Sequence, residues 1–390
     1  MRRHIPVVRM RAPARHNQRG LTLIELMVSI TITLIVVAAL LALFLNVSNA
    51  QREMAKVNQQ IESGRVSLFV LENEIAHAGF WENYMPQFDD LTITTIPAKV
   101  PTGTPPDPCL PYTTTPPSWT SDYMRSLLDI PLQAYDAIPA TCAAVLKNKK
   151  ANSDVLVVRH AETCLTDTPN CDKSIPPGNL YFQSSLCGTS QKPSDFVLST
   201  SGFGMFARDC VTPSPLRKFI SDIYYVRDYA DTAGDGIPTL VRSRFDLSSD
   251  GITLALQPPV PLIEGIEGFR VELGLDTTSS TGAAVDYTKT VNWVDPNNRT
   301  APTNRGDGSP DGAFVHCSTA SPCTADQLIN VVAVKVYVLA RSTAATAGYT
   351  DSRTYTLGGA TLGPFNDHYK RHVFATSVRL NNVAGRRDTP

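Results

Sequence analysis

Arg19-Gly20-Leu21-Thr22-Leu23-Ile24-Glu25-Leu26 decides how this chain is read, because it sets one carboxylate, Glu25, five residues into an otherwise apolar run. From Leu26 to Leu45 twenty residues carry no charge. At about 1.5 Å of rise each they span roughly 30 Å as a helix, the thickness of a bilayer's hydrocarbon core. The segment is predicted to cross a membrane. A carboxylate beside such a span is costly enough to need a function and a named partner. Ser29-Ile30-Thr31-Ile32-Thr33 has strand propensity, but an isolated strand in lipid would leave its backbone groups unpaired, so helix is expected. Thr31 and Thr33 can turn their hydroxyls back to carbonyls one turn earlier.

The string GLTLIELMVSI, Gly20 to Ile30, resembles the processing site of the type IV prepilin family. The resemblance implies that a prepilin peptidase cuts after Gly20 and methylates the new amino terminus, Leu21. It also implies that Glu25 neutralises the amino terminus of a neighbouring subunit as the filament is assembled. One residue departs from the pattern: the family usually has phenylalanine after the cut, where Leu21 stands.

Charge supports an exported head on a membrane stem. The leader, residues 1–20, carries six arginines and no acid, which should hold it on the cytoplasmic side. Taking those six from 35 basic residues leaves 29 against 36 acids, a mature formal charge of −7. Nucleic acid is therefore not expected as a partner. All eight cysteines, Cys109, Cys142, Cys164, Cys171, Cys187, Cys210, Cys317 and Cys323, lie beyond the span. An even number on the exported side is read as disulfides. Their pairing stays open, although Cys164 with Cys171 and Cys317 with Cys323 could close small loops. Metal is the lesser reading of these cysteines: no C-x-x-C occurs, and His316 beside Cys317 lacks zinc-ligand spacing.

Beyond the span the helical pattern continues. Met54, Val57, Ile61, Gly64, Leu68, Leu71, Ile75 and Ala78 recur at spacings of three and four, which draws one stripe on a helix. No proline occurs between Leu21 and Met85, and Gly79 is a plausible cap. A stem over residues 21–80 is predicted, its outer half packed on a β-sheet and its inner half left for neighbouring subunits. Residues 81–152 are expected to be a Pro/Thr-rich loop region, with eight prolines between Pro97 and Pro117. Residues 153–390 are predicted to form a β-rich head. Strands are expected at Asp154 to His160, Phe196 to Thr200, Phe219 to Arg227, Leu240 to Phe245, Ile252 to Gln257, Gly268 to Leu275, Val331 to Ala340 and His372 to Leu380. Val331 to Leu339 is almost continuously apolar apart from Lys335, which places it centrally, against the long helix. The fold class is α+β, a long N-terminal helix on a mainly antiparallel sheet.

The head resembles PilW-like minor pilins in SRFDLSSDG (243–251), LIEGIEGFRVELG (262–274), NVVAVKVYVLARS (330–342) and FNDHYKRHVFATSVRL (365–380). The resemblance implies a minor pilin in a priming or tip complex of a type IV pilus, serving pilus biogenesis and twitching motility. Its implied partners are other minor pilins, the major pilin, the prepilin peptidase, the inner-membrane assembly platform and membrane lipid. Its implied place is the inner membrane, with a periplasmic head, and then the filament or its tip. A minor pseudopilin of type II secretion shares the same stem and is the alternative. A membrane-anchored periplasmic adhesin or hydrolase is the alternative from another class.

No enzyme is expected. The chain has no G-x-S-x-G, no H-E-x-x-H and no G-x-x-x-x-G-K-[ST], and no cofactor is implied. In the loop 304–312, Asp307 and Asp311 with their glycines are weak calcium candidates. A tight turn with Asx hydrogen bonds is the plainer reading. Arg305-Gly306-Asp307 suggests an adhesion tripeptide, for which chance is the simpler account.

Overall fold

The structure is a computed structural model and describes residue 20 and residues 22–165, 178–189, 191–192 and 195–388. One long helix, α1 (Leu23–His77), opens the chain. It forms where proline is absent, and it ends where Gly79 takes the left-handed conformation at φ 73°, which a residue with a Cβ resists. Two units divide the chain after Ala55. In the first, the most apolar window of α1 has a mean hydropathy of 2.8 and none of it is buried.

The second unit, from Lys56 onward, holds the outer turns of α1 and the head. Its strands are β1 (Leu132–Tyr135), β2 (Val155–Ala161), β3 (Tyr181–Ser184), β4 (Phe196–Ser199), β5 (Arg217–Arg227), β6 (Thr239–Leu247), β7 (Leu254–Leu256), β8 (Val260–Glu264), β9 (Ile266–Leu275), β10 (Val331–Arg341), β11 (Tyr355–Leu357), β12 (Ala360–Leu362) and β13 (Arg371–Arg379). Short helices are α2 (Ser121–Asp129), α3 (Ala325–Leu328) and α4 (Asn381–Arg387). Among the described residues these strands make an eight-stranded sheet centred on β5, a three-stranded sheet ordered β13-β10-β9, and the hairpin β11-β12. Every pairing between them is antiparallel. β10 is the middle strand of its sheet, as its apolar run predicts.

The outer turns of α1 pack on this core. Leu71 and Ile75 are fully buried in one cluster with Val334, Val336 and Val338 of β10, Phe269 and Val271 of β9, and Leu156 and Val158 of β2. Burying each such side chain contributes about 1.5–3 kcal/mol. The helix's last carbonyls, which have no intrahelical donor, are met from α4: Asn382 Nδ2 donates to Ala76 O, His77 O and Ala78 O at 3.1, 3.3 and 3.2 Å. α4 is itself held by Arg387, whose buried guanidinium bonds Asp89 at 2.9 Å and Asp276 at 3.2 Å.

Three expectations need correction. The sequence reading has one sheet, whereas the head divides its strands between two sheets and a hairpin. The region 81–152 is not all loop: α2, β1 and a 3₁₀ turn at Ala140–Cys142 lie in it, and β1 joins the large sheet beside β2. The stripe also turns. Met54 and Ile61 are exposed, while the polar Gln60 and Ser67 face inward with Gly64, Leu71 and Ile75. Gln60 can sit there because its Nε2 donates to Ala340 O at 2.9 Å, and Ser67 because its hydroxyl donates to Gly64 O at 2.7 Å. A polar group so satisfied is buried at little cost.

Candidate functional site

At the base of α1, Gly20 is exposed and Leu21 lies outside the described residues, as does the leader before Gly20. Glu25 does not stand as a bare charge. Its Oε2 accepts from Thr22 N at 3.0 Å and from Thr22 Oγ1 at 2.9 Å, and its own N–H donates to Thr22 Oγ1 at 3.3 Å. Thr22 and Glu25 thus form a capping box, a reciprocal pair that satisfies orphan donors of the first turn. Thr22-x-x-Glu25 is the sequence signature of this cap. Further along, Ser29 Oγ donates to Glu25 O at 2.8 Å, Thr31 Oγ1 to Met27 O at 2.8 Å and Thr33 Oγ1 to Ser29 O at 2.7 Å. The apolar span therefore exposes no unpaired hydroxyl donor at these positions, which is what a bilayer demands.

Within the head, three disulfides join Cys109 to Cys142, Cys187 to Cys210 and Cys317 to Cys323. Cys164 is also disulfide-bonded, and Cys171 lies outside the described residues. The Cys109–Cys142 bridge anchors the proline-rich stretch against a cluster that includes Val155, Val157 and Ile223. Asp107 beside it is occupied, accepting from Cys109 N at 2.9 Å and Thr141 Oγ1 at 2.7 Å.

The loop 304–312 is tied down by the same kind of bond. Asp311 accepts from Thr277 N, Thr278 N and Thr278 Oγ1 at 2.7, 2.8 and 2.7 Å, which holds its carboxyl below the usual range although partial burial works the other way. Asp307 Oδ1 accepts from Ser309 N at 3.0 Å in an Asx turn. Arg305 is buried, with Nη1 donating to Asp286 O at 2.7 Å and Nη2 to Lys289 O at 2.8 Å. Its guanidinium is not presented to a receptor.

Two buried polar clusters, one at β13 and one just beyond α1, have no signature in the sequence. Arg371 of β13 is fully buried and bonds Glu267 at 2.6 Å, Asp351 at 3.0 Å and Asp367 at 2.6 Å, so one guanidinium ties β9 and the 351–367 segment to β13. A bidentate fork of this sort is a task for arginine. Near the end of α1, Tyr84 donates to the buried Asp129 at 2.7 Å. Burial pushes the Asp129 carboxyl up to about 7 against the pull of that bond.

Comparison with known proteins gives these parts their meaning. Residues 15–41 match the prokaryotic N-terminal methylation motif, and residues 223–382 match the family described as type IV pilus-assembly protein W. The second match covers all four head motifs and most of the β5 to β13 framework. No curated protein matches the chain. Among solved structures it is similar to a type IV-like pilin from Thermus thermophilus at 12% identity and a TM-score of 0.30, over 83% of this chain and 97% of that one. The two family matches define a type IV pilin-like protein with a methylation motif at its amino-terminal helix. Together the two matches indicate a minor pilin that takes part in type IV pilus assembly. Its apolar helix suits a membrane-anchored pilin, its partners are pilus components, and the family points to a structural role.

Proposed function

We propose that this minor pilin is held in the inner membrane by the span from Leu26 to Leu45, with its head in the periplasm, until it is cut after Gly20 and methylated at Leu21 by the prepilin peptidase. It then joins other minor pilins in a complex that primes or caps the filament on the inner-membrane assembly platform, and so supports twitching motility. The observation carrying this reading is that one chain joins a methylation motif at the foot of an exposed apolar helix to a pilus-assembly head. In the free subunit Glu25 is occupied by Thr22. On assembly its carboxylate would accept the Leu21 amine of a neighbour, an ion pair strong in lipid because little water screens it.

The test is genetic and chemical together. Protein purified from host membranes should begin at Leu21 and carry one methyl group, and deletion should lower surface pili while major pilin remains in the membrane. Blocking retraction in the deletion strain should bring some filaments back, since slow initiation leaves the building block intact. An intact Met1 terminus would sink the processing step. Unchanged piliation with loss of an exported enzyme would move the protein to type II secretion.

A further inference from the structure

Most strands at the margins of the head's sheets are guarded. β1 and β4 have four residues each and β7 three, and β8 carries Pro261 and the exposed Glu264. Shortness, proline and charge are the usual guards of a sheet edge. β9 is covered on its free side, where Leu273 exchanges backbone bonds with Val315 at 2.7 and 2.8 Å and Phe269 O accepts from Asp154 N at 2.7 Å. β13 has none of these guards. Its nine residues, roughly 27 Å of strand, pair with β10 without a register shift, and residues 373–378 hold no charge and no proline.

The ladder fixes which backbone groups are free. Leu380 N donates to Val332 O at 2.8 Å and Ser342 N to Lys370 O at 2.9 Å, so the even-numbered residues of β13 bond β10 and the odd-numbered ones point their N–H and C=O outward. Val373, Ala375 and Ser377 thus present a row of donors and acceptors to which no described residue is bonded, and Ala375 and Ser377 are exposed. The charges at either end of the row are already closed within the chain, Arg371 by its three carboxylates and Arg379 by Asp388 at 2.5 Å. A neutral row between neutralised ends is complementary to an uncharged strand. The edge is also continuous with an exposed flank of α1. Thr376 Oγ1 donates to Glu72, and Phe69, one turn before Glu72, and Ile61, three turns before it, remain 69% and 39% exposed.

Direction narrows the occupant further. Gly64 lies against Phe374, Glu72 accepts from Thr376, and Asn382 just past the strand caps the carbonyls of Ala76 to Ala78, so β13 runs in the same sense as the outer turns of α1. A two-fold pair of antiparallel β13 edges would point the two helices in opposite senses, and one membrane could not receive both. We propose that the outer edge of β13 receives an extended, uncharged strand from a different subunit of the pilus, which becomes the fourth strand of the β13-β10-β9 sheet. Main-chain bonds to the odd-numbered residues supply the affinity of such strand addition. The proposal rests on the pilus-assembly reading above and names the surface that reading leaves open.

The test removes an outward donor and leaves the inner ladder intact. Ala375→Pro in the full chain deletes one outward N–H at an exposed edge position, where proline is tolerated, and Ala375→Val keeps it. A photo-crosslinking phenylalanine in place of Ser377, expressed in the host, captures whatever lies along the edge. Irradiation should give an adduct with another pilin-like subunit, mapped by mass spectrometry to one extended, uncharged run. Ala375→Pro should lower its yield at least about tenfold and lower surface pili toward the deletion strain, with an unfolding midpoint matching the parent, and Ala375→Val should do neither. Full yield and normal piliation in folded Ala375→Pro overturn the proposal, as does an adduct with a second copy of this chain alone. If Ala375→Pro fails to fold, the Ser377 adduct decides by itself: no adduct, or one mapped to a helix or a charged loop, overturns strand addition. The deletion strain separates the two readings. Normal piliation there counts against the pilus reading itself, whereas lost piliation there with full function in Ala375→Pro counts against the edge alone.

Discussion

One helix runs through two regions that obey different rules. From Leu23 to Val47 its side chains are exposed and its polar atoms are closed within the helix. From Gln60 to His77 it buries a face of small, polar and apolar residues against strands of its own chain. The apolar window of the first region is wholly exposed, as suits a helix placed in lipid or against other subunits. The second is completed at once by the head. Amphipathicity explains only the second, and the first is made stable by being uniformly apolar in a solvent other than water. Mutations in the two regions should therefore be read by different assays.

The largest effect is expected at Glu25. Glu25→Ala should leave the protein in the membrane fraction and its thermal unfolding unaltered, yet reduce sheared surface pili to the level of the deletion strain. Thr22→Ala removes the cap but keeps the carboxylate, and should assemble far better. Were Glu25→Ala to pilate normally, the first region would need no charged contact. A shifted unfolding midpoint would show instead that the two regions are not separate in their energetics.

Asp129 offers the sharpest test of the second region. Its carboxyl has a folded-state pKa of about 7 against an ordinary 3.8, so the folded state holds a proton that the unfolded chain releases. The stabilisation is complete below about pH 4 and is lost as pH rises toward 7, a swing of roughly 4 kcal/mol at 1.36 kcal/mol per unit. Asp129→Asn can still accept from Tyr84, and should flatten that slope and unfold later than the parent at pH 8. Urea titrations at pH 5 and pH 8 decide it: an unchanged difference between the two pH values counts against a buried neutral Asp129.

Legibility followed the same division. The long apolar helix and the methylation motif at its foot are legible because they rest on charge placement along one helix, which needs no tertiary information. The eight strands read from the sequence all exist, since each is an apolar run between turn signals. β8 was missed because Pro261 and its exposed side chains hide an edge strand, and β11 and β12 because three residues each are too few to show alternation. Gln60 and Ser67 defeat any stripe argument, because their burial depends on acceptors supplied by a distant strand and by the helix itself. The pairing of the widely spaced cysteines is likewise invisible, as Cys109 meets Cys142 only once α2 and β1 have folded between them.

That bridge sets the next effect in size. Cys109–Cys142 closes a separation of 33 residues and Cys317–Cys323 one of 6. Chain entropy alone assigns roughly 3–4 kcal/mol to the first and about 2 kcal/mol to the second. Paired Cys→Ala variants should lose denaturant stability in that order, with membrane insertion unaffected in both. A reversed order would show that strain or residual structure, and not loop closure, governs the head.

The smallest effect tests the seam itself. Alanine in place of glycine inside a helix normally stabilises by about 0.5–1 kcal/mol, because the unfolded chain loses freedom. At Gly64 a Cβ would overlap the ring of Phe374 on β13, and overpacking of that kind costs about 1–3 kcal/mol. The steric cost should win. Gly64→Ala is expected to lose about 1 kcal/mol, and the double variant with Phe374→Leu should recover most of it, because the two positions are in contact and their effects do not add. Urea midpoints of the two single variants and the double variant close the cycle. If Gly64→Ala were instead stabilising, and Phe374→Leu made no difference to it, the glycine would be merely a weak point in the helix. The close approach of α1 to β13 would then contribute nothing to holding the outer half of the stem on the head.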